Sequence, residues 1–275
     1  MLPFYESQLE QAFIELLEES GWDYTPAAEL GRADTRQVLL QDDLHAFLRR
    51  RYADLNLTPS EIARITAQLA HIPATPLYAG SKQVFRLLTE GLTLQRDNAA
   101  LPAAHLYLLD FDGVQNNTFR AINQFNVVGS HKRIPDVLLF VNGIPVVMAE
   151  LKSTIDEQVS VFDAWQQIHS RYRRDVPELL KYTLLSVISD GAVSKLGTVF
   201  TPFGFYYSWN RADDVQTTSN ADNLATLVKG ALCPARLLAI LRDFIYYPDQ
   251  SDNETVIACR YPQFFAANKI DLFPN

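Results

Sequence analysis

The dipeptide Asn142-Gly143 separates two apolar runs, Pro135–Val141 and Pro145–Lys152, and no other feature of the chain restricts the fold as strongly. Asn and Gly accept the left-handed backbone that a two-residue turn demands, so the two runs are predicted as antiparallel strands of one hairpin. The hairpin starts at an acid, Asp136, and returns to Glu150-Leu151-Lys152. Strand side chains alternate, so Glu150 and Lys152 share a face. Val146, Val147, Met148 and Leu151 around them mark a buried strand, where an unpaired Glu or Lys is costly.

A strict two-residue turn pairs positions whose numbers add to 285. It places Asp136 opposite Ala149, on the wrong face for Glu150. If the two carboxylates work together, a three-residue loop or a bulge is required, expected near Pro135.

Elements on either side follow from periodicity. Leu9, Ala12, Phe13, Leu16 and Leu17 form the stripe of an amphipathic helix over 6–20, stopped by Gly21. Residues 42–97 read as two to four short helices, one starting at Thr58-Pro59-Ser60-Glu61 and broken by Pro73 and Pro76. Strands are predicted over His105–Asp110, Thr118–Val128, Thr183–Ser189 and Thr198–Trp209. Helices are predicted over 157–174 and, as one long rod, over 223–247, with a polar loop at 211–222. The order predicts an α/β or α+β fold, a central sheet flanked by helices with a helical insertion at about 42–100.

Other chemistries fall away. No GxxxxGK[ST] phosphate loop exists, since Gly80-Ser81-Lys82 lacks the upstream glycine, so a nucleotide-hydrolysing motor is excluded for this chain. HExxH, CxxC and GxSxG are absent, and the five histidines (His45, His71, His105, His131 and His169) are scattered. Cys233 and Cys259 are too few for a zinc cluster or a disulfide framework and suit a reducing compartment, with a cytoplasmic location expected. No signal peptide and no membrane-length apolar run is visible, and no membrane partner is expected. A net charge of −8 excludes a domain that grips nucleic acid by bulk positive charge, though not one with a local basic groove. The chain stops at Phe273-Pro274-Asn275 with no closing element, and a fragment of a longer protein is expected.

Two carboxylates and one ammonium suit a hard divalent cation such as Mg²⁺, which takes one or two carboxylates and keeps several waters. Such an ion orients a water and stabilises charge on a phosphate, with the lysine adding positive charge. A surface ion pair beside a turn is the plain alternative.

Pro135-Asp136…Glu150-x-Lys152 resembles the PD-(D/E)XK nuclease core. The runs RIPDVLLFVNGIPVVMAELKS (133–153), YRRDVPELLKYTLLSVISDG (172–191) and RYPQFFAANKI (260–270) resemble the N-terminal nuclease domain of the R subunit of type I restriction–modification enzymes. The likeness covers nearly the whole chain and is loose over 42–100. It implies a restriction-endonuclease-like domain over 1–250. Residues 251–275 would then connect to a helicase motor that uses ATP and lies outside this chain. It implies Mg²⁺-dependent cleavage of double-stranded DNA beside modification and specificity subunits. The alternative is a catalytically silent nuclease fold that docks the motor or other subunits.

Carried over position by position, the resemblance implies that Asp136, Glu150 and the backbone carbonyl of Leu151 hold the metal, and that Lys152 positions or activates the water. An acid on the first helix joins such sites, and Glu10 matches best, with Glu6 the other candidate. The family's Gln-x-x-x-Tyr motif fits Tyr172 but finds Ile168 where glutamine belongs; Gln167 comes one residue early. Five residues on a regular helix leave Gln167 and Tyr172 about 140° apart. A π-turn between them is therefore expected if Gln167 serves the site. Lys132, Arg133, Arg171, Arg173 and Arg174, with His131 and His169 beside them, are the candidate phosphate contacts. Tyr206, Tyr207 and Trp209 are expected to pack rather than stack on bases, and Asp110-Phe111-Asp112 is another acid pair that a strand-end turn explains as well.

Overall fold

The hairpin lies at the centre of the molecule. In the computed structural model, which describes residues 6–32, 34–152, 160–212, 223–248 and 254–270, a mixed six-stranded sheet forms the core. Its strands in chain order are β1 (Asp23–Tyr24), β2 (Phe119–Asn123), β3 (Val137–Val141), β4 (Ile144–Leu151), β5 (Leu185–Ser189) and β6 (Ser194–Gly197). They lie side by side in that same order. β1 with β2 and β4 with β5 are parallel; the other pairs are antiparallel. Every residue of β3 and β4 is buried, as befits strands covered on both faces.

Asn142 and Gly143 both take left-handed backbone, with φ of 51° and 80°, the geometry of a type I′ turn. Gly143 is required twice over, because a Cβ there would lie 2.2 Å from the Leu40 carbonyl oxygen. Val141 pairs with Ile144 and Phe140 with Pro145; the register then slips, and Leu139, Leu138 and Val137 pair with Val147, Met148 and Ala149. The expected bulge is present, but it sits at Val146, on the second strand rather than near Pro135. Pro145 explains the place: it has no N–H to give the ladder, and sheets tolerate proline at bulges. Continued to the strand ends, the shifted register sets Asp136 opposite Glu150.

Helices cover the sheet. Helix α1 (Glu6–Glu19) buries Leu9, Phe13, Ile14 and Leu17. Helix α2 (Gln41–Arg51), helix α3 (Pro59–Ala70) and helix α4 (Leu77–Glu90) make up the insertion. Thr58 and Glu61 form a reciprocal capping box at the start of α3. The fully buried Lys181 donates to the carbonyls of Ala70 (3.0 Å) and Ile72 (2.6 Å), so a cation closes the C-terminal end of α3 against the core. Helix α5 begins at Val161–Gln166 and packs on β4 and β5.

Four expectations are corrected. Of the run 105–110 only His105 and Leu106 lie in a strand, Ala104–Leu106, because Asp110 turns the chain by accepting the Gly113 N–H (2.8 Å). The predicted strand 118–128 is cut at Gln124, whose φ is 52°. The strand expected over 198–209 is instead β6, earlier in the chain. Beyond it Thr198 and Thr201 capture backbone N–H groups (Thr198 to Thr201 Oγ1, 3.0 Å; Phe200 to Thr198 Oγ1, 3.1 Å), and only Tyr207 pairs back, with Leu196. The long helix over 223–247 is two helices, Asn223–Leu232 and Pro234–Asp243, meeting at 64°, because Pro234 cannot continue the first. Most of the 211–222 loop and residues 157–159 lie outside the described residues. Among the described residues no single helix is long and apolar enough to cross a membrane.

Candidate active site

Asp136 immediately precedes β3, Glu150 is the penultimate residue of β4, and Lys152 follows β4. Leu151 donates its N–H to Asp136 Oδ2 (2.6 Å), tying the two strand ends together. The Lys152 backbone N–H is held by the Ser189 carbonyl of β5 (2.8 Å), and its ammonium reaches Glu150 Oε1 (3.0 Å). Asp136, Glu150 and Lys152 therefore meet at one end of the sheet. This contact follows from the extra residue at Val146.

The helix completes the cluster. After Val161–Gln166 it widens into a π-turn over Gln167–Tyr172, the irregularity that the five-residue spacing requires. Gln167 Nε2 donates to Glu150 Oε1 and lies 2.8 Å from Tyr172 Oη. Tyr172 Oη lies 3.1 Å from Glu150 Oε2 and 3.3 Å from the Ile134 carbonyl. Glu150 thus faces Lys152, Gln167 and Tyr172.

Burial dominates the electrostatics. Desolvation pushes the Asp136 carboxyl up to about 7, opposed by the Leu151 N–H and Lys152 and assisted by Glu6 and Glu10. Desolvation and the neighbouring Asp136 push Glu150 up to about 8. Burial works to lower the Lys152 ammonium, but Glu150 and Asp136 outweigh it and the net shift is upward. Burial and the Glu150 charge also raise the Tyr172 hydroxyl. Two acids this reluctant to ionise, sharing one ammonium, form a donor set short of positive charge. Among the described residues no group of three or more His, Cys, Asp or Glu side chains converges on a metal position. Two carboxylates with backbone and water oxygens are what Mg²⁺ accepts, so the residues fit such an ion.

Sequence reasoning named Glu10 but missed the two residues that hold it, Asn123 and Gln124. Glu10 of α1 is held by Asn123 Nδ2 (2.7 Å to Oε1) and Gln124 Nε2 (2.7 Å to Oε2). Asn123 and Gln124 interrupt an apolar run with two amides, and that interruption was the available signal. Glu6, one turn earlier, is exposed, and both glutamates act electrostatically on Asp136.

The basic stretch divides. Asp175, fully buried, accepts from Arg133 Nε (2.7 Å), Arg174 Nε (2.7 Å), His131 Nδ1 (3.2 Å) and Ser130 Oγ (3.3 Å). The bonds from Ser130, His131 and Arg133 pin the small hairpin Val127–Val128/Lys132–Arg133 to the helix, whereas that from Arg174 stays within the helix. Arg173 pairs with Glu254 (2.9 Å). Lys132 and Arg171 are exposed. His169 stacks on Trp165 with ring centroids 4.4 Å apart, and burial pushes its pKa down to about 4. Tyr206 and Trp209 are buried, Tyr206 bonding Ser186 (2.5 Å) and the Thr198 carbonyl (2.9 Å); Tyr207 is half-buried.

Comparisons with known proteins add a family context. The family model for the type I restriction enzyme R protein N terminus matches residues 3–205. The chain is similar to the type I restriction enzyme HindI endonuclease subunit of Haemophilus influenzae, 27% identical over 279 residues, covering 96% of this chain and 26% of that protein. It is 29% identical over 175 residues to the type I restriction enzyme EcoprrI endonuclease subunit of Escherichia coli, covering 60% of this chain and 52% of that protein. A Staphylococcus aureus relative, the type I restriction enzyme SauMSSORF170P endonuclease subunit, is 26% identical over 197 residues, covering 70% and 19%. The chain spans about a quarter of the length of the first of these.

Proposed function

The chain belongs to the family of type I restriction enzyme R protein N termini, and from that premise we propose that it is a Mg²⁺-dependent endonuclease domain that hydrolyses phosphodiesters of double-stranded DNA. The observation that carries this reading is the meeting of Asp136, Glu150 and Lys152 at one end of the sheet, with Lys152 Nζ 3.0 Å from Glu150 Oε1. A structural ion pair has no need of two acids forced together in a buried place.

In this reading Asp136, Glu150 and the Leu151 carbonyl would hold the ion. When bound, Mg²⁺ supplies a Lewis acid for the phosphate oxygen and lowers the pKa of the attacking water. Lys152 stays protonated beside Glu150 and turns its ammonium toward the water and the charge that grows on phosphate. The water oxygen bonds to phosphorus as the bond to the leaving deoxyribose oxygen breaks, and the water's proton passes to solvent or to that oxygen. Gln167 and Tyr172 fix the rotamer of Glu150, so both of its oxygens stay aimed. Lys132 and Arg171 are candidate phosphate contacts. Arg133 acts chiefly by holding the loop before Asp136 to Asp175, and the largely exposed Arg174 stays a candidate phosphate contact.

The same reading assigns residues 1–250 to the nuclease unit and 251–275 to the passage toward an ATP-driven motor, in a cytoplasmic complex with modification and specificity subunits. The test is plasmid nicking by the complete enzyme with Mg²⁺ and ATP, wild type against Lys152→Ala, with ATP hydrolysis followed in parallel. Lost nicking with retained ATP hydrolysis supports the reading; undiminished nicking refutes the role of Lys152. Lost ATP hydrolysis would favour a docking module.

A further inference from the structure

Strand β2 ends at Asn123 and Gln124 follows it, and the nuclease motif makes no demand on either amide. Asn123 and Gln124 are consecutive, and in a continued strand their side chains would leave on opposite faces. Here Gln124 turns into left-handed backbone (φ 52°), which disfavours any residue with a Cβ. The turn brings both amides to one carboxylate: Asn123 Nδ2 donates to Glu10 Oε1 (2.7 Å) and Gln124 Nε2 to Glu10 Oε2 (2.7 Å). The same residue's N–H donates to the Asp136 carbonyl (3.0 Å). Asn123 is itself fixed, its Oδ1 accepting from Tyr24 Oη (3.0 Å).

We propose that Gln124 is a positioning residue of the metal centre: its left-handed turn sets Asp136 through the backbone and Glu10 through the side chain, so that both acids face one divalent cation. No three acidic side chains among the described residues converge on one metal position, so Glu10 is not a direct ligand in this inference; its charge would act on the ion from the flank of Asp136. The amides suit this task. They direct both oxygens of Glu10 without bringing a counter-charge, and the Glu10 charge reaches Asp136. A turn needed only for folding would be served better by glycine or asparagine, which take left-handed backbone at less cost.

This inference rests on the metal-dependent reading above. The test is Mn²⁺ calorimetry on the 275-residue chain, for wild type, Glu150→Ala, Gln124→Gly and Gln124→Asn, with Gln124→Gly repeated in a Glu10→Ala background. Gln124→Gly keeps the N–H to Asp136 and relieves the backbone, so its Tm should stay within about 3 °C of wild type. Its Mn²⁺ affinity should fall about 10-fold, as for residues that orient ligands. Gln124→Asn, one methylene too short to reach Glu10, should weaken binding likewise. The effect should vanish when Glu10 is already alanine. Unchanged affinity in Gln124→Gly, with binding abolished in Glu150→Ala, overturns the inference and leaves the metal centre standing. An undiminished effect in the Glu10→Ala background overturns it too, as the mark of a structural role. Absence of wild-type Mn²⁺ binding removes the metal centre and this inference together.

Discussion

Gln167 Nε2 lies 2.8 Å from Tyr172 Oη although the two are five residues apart on one helix. The π-turn between them makes that contact, and it presents both groups to Glu150. Gln167→Ala should therefore weaken divalent-ion binding about 10- to 100-fold while changing stability little, since its amide is not part of the apolar core. Tyr172→Phe keeps the ring packing and should cost about 1 kcal/mol of stability, with a similar loss of ion affinity. Calorimetry and thermal melts on each variant check both. Wild-type ion affinity in Gln167→Ala would separate the π-turn from the site.

Without metal, the site should make the protein less stable as pH rises. The folded Asp136 and Glu150 hold protons up to about 7 and 8, whereas an unfolded chain releases them near 3.8 and 4.5. Between roughly pH 4 and pH 8 the folded state binds more protons, so stability is full below that window and declines through it, by on the order of a few kcal/mol. Melts in chelator should show Tm falling from pH 5 to pH 8, Glu150→Gln should flatten the slope, and Mg²⁺ should restore Tm most at the alkaline end. A pH-independent Tm in chelator would contradict the buried-acid description.

The turn of the central hairpin should be intolerant of change. Gly143→Ala adds a Cβ at 2.2 Å from the Leu40 oxygen on left-handed backbone and should destabilise by at least about 2 kcal/mol. Asn142→Asp places a charge where a fully buried amide donates to Leu108 O (2.9 Å) and Asn117 Oδ1 (2.8 Å), with a comparable or larger loss. Urea titrations measure both.

For DNA, Arg133, which Asp175 holds, should differ from the basic residues facing solvent. Lys132→Ala and Arg171→Ala should each reduce the slope of log K against log salt by about 1, in anisotropy titrations of a short duplex at low salt. Arg133→Ala should act chiefly on Tm, by releasing the hairpin that Asp175 holds. An equal slope change for Arg133 would return it to the phosphate contacts.

Much of this site can be read from the sequence because it depends on counting. Asn142-Gly143 fixes a two-residue turn, and an acid at 136 and another at 150 then need one extra residue somewhere in the hairpin. Gln167 and Tyr172 need one extra residue in their helix. The position of the first irregularity was harder to read, since Pro145 signals a bulge only once its partner strand is known. The amides at 123 and 124 were legible as a break in an apolar run, but their target, Glu10, lies over a hundred residues away, and only the folded chain brings it near. The clamp on Asp175 is hidden for the same reason: the sequence shows a cluster of basic residues, and only the folded chain places one buried carboxylate beneath Arg133 and Arg174. Pro234 alone explains why one apolar stripe becomes two helices.

The central claim is that Asp136 and Glu150 form one divalent-ion site. Its most direct test is calorimetric titration of Mg²⁺ or Mn²⁺ into the purified chain near pH 8, for wild type, Asp136→Asn and Glu150→Gln. The expected result is weak, one-site binding in wild type, lost in both variants, with each variant's Tm in chelator at or above that of wild type because a costly buried charge has been removed. Binding that survives both substitutions, or its absence from wild type at millimolar ion, would contradict the account.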